Sequence, residues 1–222
     1  MYSPRSTNLS SINFFARLYA HSTMTQEHGS SRLYANESYQ PVAPRRSAIV
    51  ENLDSWERKE RTRDGAEYVI RPVHRDDVDR ERKFIDVLSE RTRYERTMGL
   101  RHAPSPHRIE ELVHVDYKDR MAFVATVGDE GAQRFIGIAR YVREGGRGCE
   151  FAVVVADEWQ GRGIGAALMC SLIGYARAHS IPALDGVILA TNSRMVALAL
   201  RMGMTLRMSE SDRTILDAFL SL

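Results

Sequence analysis

Between Glu150 and Gly165 the chain reads Glu-Phe-Ala-Val-Val-Val-Ala-Asp-Glu-Trp-Gln-Gly-Arg-Gly-Ile-Gly. This is an apolar strand, then an acidic turn, then a glycine-rich loop that opens a helix. The first amides of a helix have no intrahelical partner, and the helix dipole adds partial positive charge there. A loop of this kind is an anion site. Gly161, Gly163 and Gly165 carry no Cβ that would block a close approach by a diphosphate. The helix that follows is the clearest in the chain. Ile164, Ala167, Leu168, Ser171, Leu172, Tyr175 and Ala176 recur at three- and four-residue steps and form one continuous face.

The rest of the chain alternates strand and helix signals. Asp64-Gly65 is a tight-turn pair between candidate strands at Trp56–Thr62 and Glu67–Pro72. Asp76 and Asp77 start a helix whose Val78, Phe84, Ile85 and Leu88 form a stripe, and a second helical piece spans Glu90–Thr97. Ser105 before Pro106 marks a further start, with Ile109, Leu112 and Val113 inside. Strands are predicted at Met121–Val127, Phe135–Val142, Glu150–Val155 and Gly186–Ala190, with a break at Gly145-Gly146-Arg147-Gly148. Asn192 or Ser193 caps a helix carrying Met195, Val196, Leu198 and Leu200 and ended by Gly203. Thr205–Met208 and Thr214–Phe219 read as a closing hairpin.

Bulk properties narrow the function. Lys and Arg number 31 against 29 Asp and Glu, so there is no basic excess to hold nucleic acid. Cys149 and Cys170 are too few for a disulfide framework, which suits a reducing, cytoplasmic setting. No apolar run approaches the roughly 18 residues of a membrane span. Residues 1–47 are polar and aperiodic and read as a disordered leader, with Met24 as an alternative start. The folded domain is expected over residues 48–222.

With these elements in place, the chain resembles the GNAT acetyltransferase superfamily. Gln160-Gly161-Arg162-Gly163-Ile164-Gly165 fits its (Gln/Arg)-x-x-Gly-x-(Gly/Ala) loop, and the strand, helix, strand and helix around it follow the family order. A narrower resemblance is to the bacterial Pat-type protein lysine acetyltransferase domain. It is carried by Ile70-Arg71-Pro72-Val73, Leu88-Ser89 with Arg93-Tyr94, Val115-Asp116-Tyr117 and Glu150–Val155. The resemblance implies a single α/β domain with a mixed, twisted sheet of about six to seven strands, splayed at the acyl-CoA site, with helices on both faces. It implies acetyl-CoA as co-substrate and no metal. The diphosphate would lie on the amides of Gly161, Arg162, Gly163, Ile164 and Gly165, with Gln160 and Ala166 also counted among the cofactor-binding residues. Phe151, Val153 and Val155 would flank the pantetheine arm, and Asn192 would touch it or shape the groove.

The expected reaction is direct acetyl transfer to an amine, with a protein or peptide lysine favoured. A small-molecule amine and a non-catalytic acyl-CoA sensor are the alternatives. A lysine with pKa about 10.4 costs roughly 4–5 kcal/mol to neutralise at pH 7, so its acetylation benefits from a general base. The Pat-type resemblance puts the catalytic glutamate at Glu150; the residues alone also allow a solvent-facing acid, or one paired with Arg147. Arg162 is a phosphate ligand or a solvated loop arginine. Asn192 is explained equally well as a helix cap. Many GNAT enzymes carry a thiolate-protonating tyrosine four residues before the helix-ending glycine, where this chain has Ala199. Tyr117 and Tyr141 are then weak candidates, better read as core tyrosines. Cys149 reads as a packed residue rather than an acyl carrier. His102, His107 and His114 lack metal-ligand spacing. Glu110, Glu111, Asp116 and Asp119 form a solvated acidic stretch that could attract a lysine-bearing partner. A monomer or homodimer is expected.

Overall fold

The structure is a computed structural model that describes residues 52–98, 104–129, 131–143 and 148–222. The leader, the Met24 start, His102 and the Gly145–Arg147 break lie outside the described residues. Strands β1 (Arg58–Arg61), β2 (Glu67–Pro72), β3 (Arg120–Val127), β4 (Arg134–Val142), β5 (Cys149–Val155), β6 (Ala183–Leu189), β7 (Thr205–Met208) and β8 (Ile215–Ser221) form one sheet in the order β1-β2-β3-β4-β5-β6-β8-β7. The helices are α1 (Val78–Val87), α2 (Glu90–Thr97), α3 (Pro106–Val113), α4 (Ile164–Ala178) and α5 (Ser193–Arg201). The mixed α/β architecture is as expected, but the sheet has eight strands rather than six or seven. The short edge strands β1 and β7 are both among those read from the residues, which number eight; only the count implied by the resemblance is exceeded.

The sheet is covered on both faces. On one side Phe84 and Leu88 of α1 and Val113 of α3 pack with Ala122 and Val124 of β3 and Ile138 of β4. On the other, Ile164, Leu168, Leu172 and Tyr175 of α4 meet Met121, Phe123 and Ala125 of β3 and Ile136 and Tyr141 of β4. This is why residues 121–126 are buried without a break, where alternation about Phe123 and Ala125 suggests a one-sided strand. The predicted stripe of α4 faces this core, and Met169 and Ile173 join it.

Local signals place the helix starts. Ser89 Oγ accepts the Thr92 amide, Ser105 Oγ accepts the Arg108 amide with Pro106 in the first turn, and Asn192 Oδ1 accepts the Met195 amide. In α5 the buried residue is Ala199, while Leu200 is 57% exposed, against the apolar pattern. Ala199 lies three and four residues beyond Val196 and Met195, so it falls on their face and Leu200 turns outward.

All but one neighbouring pair of strands is antiparallel; β5 and β6 run parallel. They are paired only at Cys149↔Leu184 and Glu150↔Asp185. Beyond those two rungs they part. One edge of β5 still follows β4 as far as Val155, while the other opens into a groove. A Cβ on Gly186 would stand 2.8 Å from Cε1 of Phe151, so the Phe151 ring packs directly on Gly186 at the point of divergence.

Candidate active site

The parted strands enclose a cleft of about 510 Å³, within the size range of sites that take small organic molecules. One wall is Phe151–Val155, the other is Val187–Leu189 with Asn192, Met195 and Leu198 from the start and inner side of α5. The glycine loop closes one end through Gln160, Gly161, Gly163, Gly165 and Ala166. Only residues 149 and 150 of β5 pair with β6, so the peptide groups from Phe151 onward face the cleft along that edge. A guest with its own amide groups can pair there as a strand would.

The loop geometry separates the three glycines. Gly161 and Gly163 have φ of +77° and +101°, a region that favours glycine. No atom lies within 4 Å of a Cβ built on either, so the space above the turn is open. Gly163 is the N-cap of α4 and offers no side chain to the first amides; those of Ala166 and Ala167 donate to Gly163 O at 3.1 Å, and the ones before them are the amides that could meet a ligand. Gly165 has ordinary φ and faces Leu198 across the cleft.

Gln160 acts as a fastener. Its Nε2 donates to Val155 O at 3.0 Å and to Thr92 Oγ1 at 3.2 Å, and its Oε1 accepts from Arg194 of α5. Asp157 accepts from the Ser89 amide at 2.9 Å and from the Ser89 and Thr92 hydroxyls, each at 2.7 Å. Burial pushes the Asp157 carboxyl up, but these hydrogen bonds outweigh it and hold it below the usual value. The start of α2 is thereby tied to the loop before α4.

Several expected ligands point elsewhere. Ile164 is 1% exposed, belongs to the core and does not line the cleft. Arg162 pairs with Asp64 at 3.1 Å and lies over the Trp159 ring at 5.0 Å. Asn192 both caps α5 and lines the cleft. Tyr117 donates to Val73 O and Tyr141 to Lys118 O; burial pushes both phenols up, and neither lines the cleft. Ala199 is fully buried, so no thiolate acid occupies that position. Cys149 is also fully buried, and burial pushes its thiol up despite a bond from Arg143. The acidic stretch is largely committed. Glu111 pairs with Arg108, Asp119 with Arg143, and one Asp116 oxygen accepts the amides of Lys118, Asp119 and Arg120.

Glu150 is half-buried and forms the last rung joining β5 to β6, one residue before the cleft wall begins. Its parallel partner is Asp185, and residues in register on adjacent strands project from the same face. The Asp185 side chain reaches the surface, yet burial by its surroundings pushes its carboxyl above the usual range. Sequence reasoning missed this acid. Its signal was available: it is the one charged residue in the apolar run Ala183–Leu189.

Known proteins share this arrangement. Residues 85–204 match the Acetyltransferase (GNAT) family. The chain is 39% identical to Acetyltransferase PA5475 of Pseudomonas aeruginosa, over 74% of this chain and 84% of that protein. It is 36% identical to Acetyltransferase Pat of Mycolicibacterium smegmatis over 64% of this chain, and that match spans 42% of the longer protein. The crystal structure of the GNAT domain of S. lividans PAT superposes with a TM-score of 0.68 at 27% identity, covering 78% of this chain and all of that one. The chain belongs to the GNAT family of acetyltransferases.

Proposed function

We propose that the protein transfers acetyl from acetyl-CoA to a lysine ε-amine of a protein, with Glu150 as general base. The parting of β5 from β6 immediately after Glu150 carries this reading. A diphosphate on the loop amides and a pantetheine arm paired along residues 151–155 would run towards the closed end of the cleft. Glu150, the residue just before the cleft lining begins, would meet the thioester there. It takes a proton from the ammonium, directly or through a water; the freed amine attacks the thioester carbonyl, the C–S bond breaks to release CoA thiolate, and the second N–H proton passes from the new amide nitrogen to solvent or to the departing thiolate. A thiolate leaves without an obligatory acid, which fits the absence of a tyrosine at Ala199.

The preference for lysine rests on the likeness to the Pat proteins. The committed acids at Glu111, Asp116 and Asp119 add little to it. The two cysteines are unpaired, in keeping with action in the cytoplasm.

The test is mass spectrometry of a cell lysate incubated with acetyl-CoA and either wild type or Glu150→Gln. New acetyl-lysines with wild type, falling about 10²–10⁴-fold in rate with the variant, are expected. Acetyl-CoA binding without new acetyl-lysines would move the acceptor to a small amine or make the domain a sensor. Unchanged turnover in Glu150→Gln would remove the base assignment.

A further inference from the structure

The loop's own arginine has partners outside the cleft: Arg162 pairs with Asp64 at 3.1 Å and lies over the Trp159 ring, and it does not line the cleft. The cation beside the glycines comes from elsewhere in the chain. Arg63 sits in the turn between β1 and β2, and its amide donates to Arg162 O at 3.2 Å. Its side chain lines the cleft together with Gly161 and Gly163. Among the described residues no carboxylate pairs with it. We propose that Arg63 binds the diphosphate of acyl-CoA, supplying the cation on the cleft side of the glycine loop. This rests on reading the glycine loop as the acyl-CoA site.

The turn is held where this role needs it. Trp56, just before β1, packs edge-on against Tyr175 of α4 with ring centroids 4.9 Å apart. Arg58 donates to Ala167 O of α4 at 2.8 Å. The turn itself is closed by Thr62 N to Ala66 O at 2.9 Å, with Gly65 at φ +90°. The hairpin is therefore docked on α4 at its root and on the α4 loop at its tip, so Arg63 is delivered by a braced element. A long side chain on a fixed backbone loses less freedom on binding than one on a loose loop. The other arginines of the cleft serve different places. Arg194 is held by Gln160, Arg201 lies at the far end of α5, and Arg96 has a partner of its own.

The hydrogen bond from the residue-63 amide to Arg162 O is made by the backbone, so Arg63→Ala and Arg63→Lys both keep the docked turn. Titration calorimetry of the full chain with CoA and with dephospho-CoA, which lacks the 3′-phosphate, tests the assignment. Arg63→Ala is expected to weaken both ligands about 10-fold or more and equally, as loss of a charge-assisted bond to phosphate does. Arg63→Lys is expected to recover part of the loss. The salt dependence of binding is expected to become shallower in Arg63→Ala, which a purely structural role would not produce. An unchanged dissociation constant in Arg63→Ala would overturn the proposal, as would a loss seen with CoA but not with dephospho-CoA. If wild type bound neither ligand, the fault would lie with the acyl-CoA reading itself.

Discussion

Gly163 and Gly165 stand two residues apart on one loop, and the fold asks different things of them. Gly163 has φ +101° with open space about its Cβ position, so alanine there brings backbone strain without a clash. Left-handed backbone costs a residue with a Cβ roughly 1–2 kcal/mol. Gly165 has ordinary φ, and its added methyl would meet Leu198 at 3.4 Å, an ordinary contact. Gly163→Ala is therefore expected to lower the melting temperature by about 2–6 °C and to weaken acetyl-CoA binding, because relief of the strain moves the amides of Ile164 and Gly165. Gly165→Ala is expected to leave both nearly unchanged. Differential scanning fluorimetry with and without acetyl-CoA checks the pair; equal losses in the two variants would show that bulk, not conformation, governs the loop.

At the scale of elements, α2 depends on its attachment. It is a short helix rich in charge, with Thr92 and Thr97 as its buried residues, so its own apolar face contributes little. Ser89 and Thr92 tie its start to Asp157, and Gln160 adds a bond to Thr92. Asp157→Ala removes three hydrogen bonds at a partly solvated site and is expected to cost about 1–2 kcal/mol. Glu95, Arg96 and Met98 line the cleft, so the same variant is expected to raise the dissociation constant for acetyl-CoA. Hydrogen exchange should show faster opening of residues 90–97 with α4 unaffected; uniform loss of protection would mean that α2 is not a separable unit. Elements of this kind were legible in the sequence. Ser105-Pro106 and Asn192 are local signals, and the caps they announce are present; the Ser89 cap of α2 was equally local but was not read. The glycine loop was legible for the same reason. Its tie to Asp157 was not, because 68 residues separate Asp157 from Ser89 and nothing local joins them. The Arg162–Asp64 pair and the Arg63 contact escaped for that reason as well. The groove also left only a faint trace. A strand facing a cleft and a strand facing a core are both apolar, and Val153 and Val155 read as buried although they are half-exposed.

Across the whole molecule, the layer between the sheet and α1 holds two buried ion pairs that respond to acid in opposite senses. Asp77, 1% exposed, bonds Arg71 with both oxygens, at 2.7 and 2.8 Å, and accepts the His74 amide and Arg80. Burial pushes its carboxyl up, yet the Arg71 guanidinium and these donors prevail and hold it below the ordinary 3.8. Glu81 pairs with Arg140 at 2.7 Å, but it is fully buried, its Oε2 has no hydrogen-bond partner among the described residues, and burial pushes its carboxyl above the ordinary 4.5. A depressed folded pKa means that the stabilisation from Asp77 is complete above 3.8 and disappears as pH falls through the lower folded value. A raised folded pKa means that the Glu81 contribution is most favourable in acid and is lost as pH climbs from 4.5 through the higher folded value. The two partly cancel in the wild-type profile, so a variant must separate them. Asp77→Asn removes the first and leaves Arg71 buried without its counter-charge. Breaking such a pair costs roughly 3–5 kcal/mol at neutral pH. The expected signature is a stability gap between wild type and Asp77→Asn that is constant from pH 7 to about 5 and narrows as pH falls below 3.8. Denaturant titrations at stepped pH measure that gap directly. A gap that stayed constant down to pH 3 would show that the Arg71 site holds its shape by packing rather than by charge.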